Sequence, residues 1–352
     1  MSRKQRITDL EAEAAKRILI LDGAMGTQIQ GFSLEEIDFQ GNRFGDWSVP
    51  LKGNNDLLNL TRPDIIKTIH RRYIDAGADL FETNTFSATT IAMADYDMQD
   101  LAAEIAREGA RLAREVADEA SAELDRPIGV LGAIGPTNKT LSLSPNVNDP
   151  GFREVTFDDV RIAYHQQAEA MAEFVDFFLI ETVFDTLNAK AAIKALLDLR
   201  METGENIPIM ISGTITDASG RTLSGQTAEA FWHSVRHAKP WAVGLNCALG
   251  PDLMRQHVAA LSKVADTRIL TYPNAGLPNA FGEYDETPEQ VASALGEWAE
   301  SGLVNVLGGC CGTTPEHIDA IGKVAAPYDP REVPMLDRAM RLSGLEPFEL
   351  AS

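Results

Sequence analysis

Eight short apolar runs, each followed by a stretch with helical spacing, constrain this chain more than any other feature. The runs are residues 18–21, 80–84, 128–134, 177–182, 208–214, 242–247, 269–272 and 304–307. Strands that alternate with helices pair in parallel, because each helical crossover returns the chain to the same end of the sheet. Eight such units over roughly 300 residues predict the α/β class, as a (β/α)8 TIM barrel whose working residues lie in the loops after the strands. A doubly wound open sheet would want Gly-x-Gly-x-x-Gly after its first strand. Asp22-Gly23-Ala24-Met25-Gly26-Thr27 does not supply it.

Local signals agree with that frame. An amphipathic helix is expected over residues 5–17, ahead of the first strand. Asp185 and Gly204 bracket the helix after the fourth strand, Thr287-Pro288-Glu289-Gln290 has the form of a capping box, and Thr314-Pro315 starts the last helix. Long loops follow strand one (31–61) and strand three (135–158); Phe44 and Trp47 favour a packed lid in the first. The barrel is expected to fill residues 5–325. The tail, 326–352, has four prolines and no clear strand, and reads as an extension packed on the body or a linker.

Composition excludes several classes. A net charge of −21 opposes binding to nucleic acid or anionic lipid. No apolar run approaches the ~18 residues of a membrane span, and residues 1–17 are polar and charged, without a secretory core. Three cysteines, two of them adjacent, do not form a secreted disulfide framework, and a cytoplasmic location is expected.

The barrel order gives those cysteines a meaning. Cys247 ends strand six, Cys310 and Cys311 follow strand eight, and Asn274 ends strand seven between them. Three thiolates with an open fourth position suit a zinc that acts on substrate. Adjacent side chains of an extended strand point apart, so the pair can share one ion only where the backbone bends, which Gly308, Gly309 and Gly312 permit. Zinc with three thiolates carries a formal charge of −1 and suits a thiol substrate better than hydroxide, so the chemistry implied is alkyl transfer to sulfur. The competing readings are a vicinal disulfide, a redox thiol, or a phosphate cradle at Gly308-Gly309. His233 and His237, four apart on a helix, lack a third ligand and read as surface or packing residues. Closure of the barrel brings Asp22 beside strand eight, with Glu181 across the mouth. Carboxylates there suit an ammonium group, and amides of the 23–26 loop suit a carboxylate.

The runs Asp22–Thr27, Glu82-Thr83-Asn84-Thr85-Phe86, Gly244-Leu245-Asn246-Cys247 and Gly308-Gly309-Cys310-Cys311-Gly312 resemble the homocysteine S-methyltransferase family. Residues 53–58, 180–192, 209–227 and 274–284 are similar, more narrowly, to the homocysteine-binding module of cobalamin-dependent methionine synthase. The resemblance spans residues 5–345. It implies zinc on Cys247, Cys310 and Cys311, with homocysteine thiolate as the incoming ligand. Asp22, Gly23, Ala24, Met25, Glu181, Asn246 and Asn274 would form the substrate site, the strand-end carboxylates and the amides around Ala24 and Met25 holding the amino-acid end. Asn274 stands where, in this family, a side chain can approach zinc without substrate. The expected reaction is attack of homocysteine sulfur on methylcobalamin to give methionine. No Asp-x-His-x-x-Gly corrinoid loop is present in the 352 residues, so the chain reads as a stand-alone subunit, with methylcobalamin carried by a separate corrinoid- and folate-binding protein, the alternative being a fragment of a longer protein. Betaine or S-methylmethionine as donor, or a role confined to homocysteine delivery, are the alternatives.

Overall fold

The computed structural model describes residues 1–216 and 219–351; positions 217 and 218, inside the 209–227 run, and 352 lie outside them. Eight parallel strands form one sheet: β1 (Leu19–Ile20), β2 (Leu80–Glu82), β3 (Gly129–Ile134), β4 (Phe177–Val183), β5 (Ile209–Gly213), β6 (Ala242–Asn246), β7 (Arg268–Tyr272) and β8 (Val306–Leu307). Their order is β1-β8-β7-β6-β5-β4-β3-β2. The remaining seam, β1 to β2, closes through a parallel bridge between Leu21 and Leu80 and through Asp22 N–H to Leu80 C=O at 3.0 Å. The predicted TIM barrel is therefore the observed fold.

The sequence signals act where they were read. Asp185 accepts from Leu187 N–H at the start of Thr186–Thr203, and Gly204 ends that helix at φ +72°. Thr287 and Gln290 form a reciprocal capping box ahead of Pro288–Glu300. Beneath the barrel, the helix Arg3–Ala14 sets Leu10 and Ala14 into the inner core with Leu80, Leu131, Phe177 and Met210. Leu10 is 1% exposed, so Leu10→Ala would open the floor at a cost of about 2–5 kcal/mol. Buried Asp176 ties this helix to the wall, accepting from Arg6 at 2.7 Å and Arg114 at 2.8 Å.

Three expectations change. Residues 31–61 are less irregular than they read: they hold the helices Glu36–Gln40 and Leu58–Thr61, with Phe44 and Leu51 buried and Trp47 donating to Tyr96 C=O at 2.8 Å. β8 is shorter than its apolar run, because Asn305 Oδ1 accepts from Ile269 N–H and its Nδ2 donates to Arg331 C=O. The tail contains an antiparallel hairpin, β9 (Ala339–Ser343) with β10 (Pro347–Ala351). Its turn lies on the loop after β5, where Thr227 N–H donates to Leu345 C=O and Arg221 pairs with Glu346. Met340, Leu342, Phe348 and Leu350 alternate along its exposed face, a two-residue period interrupted in sequence by the turn.

Candidate metal and substrate site

The three cysteines meet at the C-terminal face of the barrel. Cys247 lies one residue beyond β6 with φ +58°, and Ala248 follows at +57°. Left-handed backbone at two successive non-glycine residues is costly and turns the sulfur back towards β8. Earlier in β6, Gly244 lets the strand lie close on β7, because a Cβ there would stand 1.4 Å from Leu270 O. Cys310 and Cys311 follow β8 in a loop pinned from both sides. Cys310 N–H donates to Pro273 C=O at 2.8 Å, Cys311 N–H to Asn274 Oδ1 at 3.1 Å, and Gly312 N–H to Thr27 Oγ1 at 3.0 Å. Gly312 takes φ +82°, against the Tyr284 side chain, and completes the bend.

The three Sγ atoms lie within 4.8 Å of one another, with Cys247 and Cys311 at 3.8 Å. All three are free thiols, which removes the vicinal disulfide. Tetrahedral zinc with Zn–S bonds of about 2.3 Å separates its sulfurs by about 3.8 Å, so the donor set fits that ion. Among the described residues no other group of three His, Cys, Asp or Glu side chains converges in this way. Hydrogen bonds with Cys247 and then Cys310 push the Cys311 thiol down, while those with Cys247 and then Cys311 push Cys310 up. Three sulfurs this close cannot all ionise without a cation between them. The phosphate reading fails here, because Gly308 N–H is taken by Thr271 C=O and Gly309 N–H by Asp22 C=O.

Carboxylates gather on the other side of the mouth. Asp22 and Glu181 are 3% and 4% exposed. Asp22 accepts from Glu82 N–H at 3.2 Å, and the Glu82 and Glu181 carboxyls are in hydrogen-bonding contact. Burial raises all three, Glu82 to about 7; its neighbour Glu82 raises Asp22 further, and Glu82 and Asp22 raise Glu181. Glu181 sits at a register shift in β4 between Ile180 and Val183, and Thr182 after it has φ +54°. That bulge aims the carboxyl into the barrel.

The other predicted residues divide. Asn246, fully buried, is a strut: its Oδ1 accepts from Thr182 N–H at 3.1 Å and Ser212 Oγ at 2.7 Å, and its Nδ2 reaches Cys310 Sγ at 3.8 Å. Asn274, also buried, holds the Cys311 amide. Ala24 N–H donates to Thr313 Oγ1 at 3.2 Å, so this amide is already engaged. Met25 begins a short helix, Met25–Gly31, with its N–H beyond the intrahelical ladder, and Gly23 packs on Tyr73 and Thr313. His233 is buried and His237 exposed, and neither joins the sulfurs.

Sequence reading missed three residues. Glu82 ends its strand as Asp22 and Glu181 end theirs, and the same rule would have found it. Tyr284, within hydrogen-bonding reach of Cys311, and Tyr272, buried beside Ser212, had no such signal.

The homocysteine S-methyltransferase sequence profile matches residues 19–325, all eight strands and their helices. The chain belongs to the homocysteine S-methyltransferase family. Among solved structures, the metallated form of the homocysteine methyltransferase MmuM from Escherichia coli superposes with a TM-score of 0.69 at 21% identity, over 89% of this chain and 98% of that one. The oxidised form of the same protein gives 0.68 at 20% identity, over 90% and 99%. At such identity the likeness speaks for the fold. Family membership makes the homocysteine S-methyltransferase chain a methyltransferase with a three-cysteine cluster that can bind zinc.

Proposed function

We propose that this homocysteine S-methyltransferase carries out zinc-dependent methyl transfer to homocysteine, giving methionine, as the homocysteine-activating subunit of a split methionine synthase. The carrying observation is the pairing of two clusters of like groups in one mouth: three converging sulfurs, a donor set for a cation, and three strand-end carboxyls suited to an ammonium. Homocysteine has the thiol and the ammonium that answer both.

Cys247, Cys310 and Cys311 would hold the ion, and zinc there would supply a Lewis acid that keeps an incoming thiol deprotonated at neutral pH. The chain's own residues do the rest. Asn246 and Asn274 fix Cys310 and Cys311 in place. Asp22 and Glu181 hold the substrate ammonium, and the Gly23–Met25 turn, chiefly the Met25 amide, faces its carboxylate. The substrate is thereby oriented with its sulfur outward, in line for an entering methyl group.

Methylcobalamin on a separate corrinoid- and folate-binding protein is the donor we favour. The loops after β3, β5 and β7 display Val147 at 96%, Leu223 at 48% and Phe281 at 90% exposure around the face where the site opens. A rim of bare apolar side chains suits a macromolecular donor better than betaine or S-methylmethionine, which need a closed small pocket. The free thiols fit a cytoplasmic setting. Residues 5–325 would be the catalytic unit, with 326–352 as its extension.

The test supplies purified zinc-loaded protein and homocysteine with methylcobalamin, betaine or S-methylmethionine in turn. Methionine is expected from methylcobalamin alone. Turnover with betaine or S-methylmethionine would reassign the donor, no turnover with any donor despite homocysteine binding would leave a delivery module, and full activity without metal would overturn the zinc role.

A further inference from the structure

We propose that Glu82 is the third carboxylate of the ammonium pocket and, before substrate binds, shares a proton with Glu181, which the ammonium of homocysteine displaces to solvent. The inference rests on homocysteine being the substrate. Its geometric basis is the contact between two carboxyl groups. The Glu82 and Glu181 carboxyls are close enough to couple, and two buried carboxyls so placed hold one proton between them rather than both ionise. Asp22 closes the group from β1, accepting from the Glu82 backbone through both oxygens, at 3.3 and 3.2 Å. None of the three forms an ion pair with another described residue, whereas the buried carboxylates at the opposite end of the barrel, Asp79 and Asp176, each have two arginines.

One further observation points to a cationic donor: Glu181 Oε1 is buried without a partner. The titratable groups that face this cluster are Asp56 from the 3-10 turn Asn55–Leu57, Tyr73 from Pro63–Asp75, Tyr272, and the thiols Cys310 and Cys311. Each of these is an acid. An entering –NH3+ meets three carboxyls with one shared proton and can donate to Glu181 Oε1. Its positive charge replaces that of the proton, which leaves to buffer, so charge and atoms balance.

The experiment is calorimetric titration of the zinc-loaded full chain at pH 6 in two buffers of different ionisation enthalpy, which counts protons released on binding. Homocysteine and 4-mercaptobutyrate share the thiol and carboxylate, and differ in the amine. Homocysteine should release about one proton more than 4-mercaptobutyrate, a difference that Glu82→Gln removes, and the same variant should lower the preference for homocysteine over the analogue by about tenfold. Equal proton release for the two ligands in the native protein would overturn the inference even where the variant does not fold, as would an unchanged difference in Glu82→Gln. Those results would leave methyl transfer standing, whereas failure of homocysteine to bind at all would remove both.

Discussion

The thiol corner and the carboxylate corner face each other across one mouth and are built in opposite ways. The sulfurs sit on loops beyond the strands, held by bent backbone at Cys247 and Gly312 and by amide contacts from Pro273 and Asn274. The carboxyls belong to the strands or follow them directly; a bulge in β4 aims Glu181, and desolvation then raises all three. Both are clusters of like groups awaiting positive charge. A dication can satisfy three sulfurs permanently, while a weaker, exchangeable cation suits three carboxyls that can hold a proton meanwhile. On the proposed function, one corner would hold a resident ion and the other a transient guest.

The sharpest break in that comparison is Cys310→Ala. Zinc content should fall with activity, and since the ion is worth several kcal/mol, methionine formation should drop on the order of 10³-fold. Normal turnover by the metal-free variant would end the resident-ion account. Next is Asn274→Ala, which frees the Cys311 amide; outer partners of metal ligands are worth about 10–100-fold, so a competition titration against a zinc chelator should show a loss in that range with homocysteine binding to the reloaded protein little changed. Glu181→Gln should do the reverse. A charged hydrogen bond worth about 1.5–3 kcal/mol predicts a KM for homocysteine raised roughly 10–100-fold at full zinc content.

The carboxylate corner also predicts a pH dependence of stability. Burial raises Glu82 and Asp56 to about 7, far above the value of about 4 in an unfolded chain. A group raised in the folded state contributes stability that is complete below its unfolded value and is lost as pH rises through the folded one. The thermal midpoint of zinc-loaded, substrate-free protein should fall as pH rises from about 5 to about 7, and homocysteine should narrow the gap. A midpoint that rises over that interval contradicts the buried-acid picture. The smallest effect is Thr287→Ala, remote from both corners: loss of its hydrogen bond to Gln290 N–H should cost about 1 kcal/mol in chemical denaturation and leave zinc and homocysteine affinity alone.

How much was legible beforehand follows the same division. Strand and helix succession is written in local periodicity, and Asp185, Gly204, Thr287 and Pro315 mark helix ends by local capping chemistry, so the barrel and its numbering could be read residue by residue. The convergence of Cys247 with Cys310 and Cys311 followed from that order. The tail hairpin escaped notice because its apolar alternation, Met340 and Leu342 against Phe348 and Leu350, is split by a turn, and its exposed face has no core to announce it.

What the sequence by itself determined is the barrel, which three sulfurs converge at its mouth, and the presence of carboxylates at strand ends. Only the tertiary structure decided that Asn246 and Asn274 support cysteines, that the Ala24 amide is spent on Thr313, and that Glu82 joins Glu181 and Asp22. The physical reason is range. Helices and strands are specified by neighbours a few positions apart, whereas a hydrogen-bond partner or a shared proton depends on distances between atoms that barrel closure brings together from opposite ends of the chain.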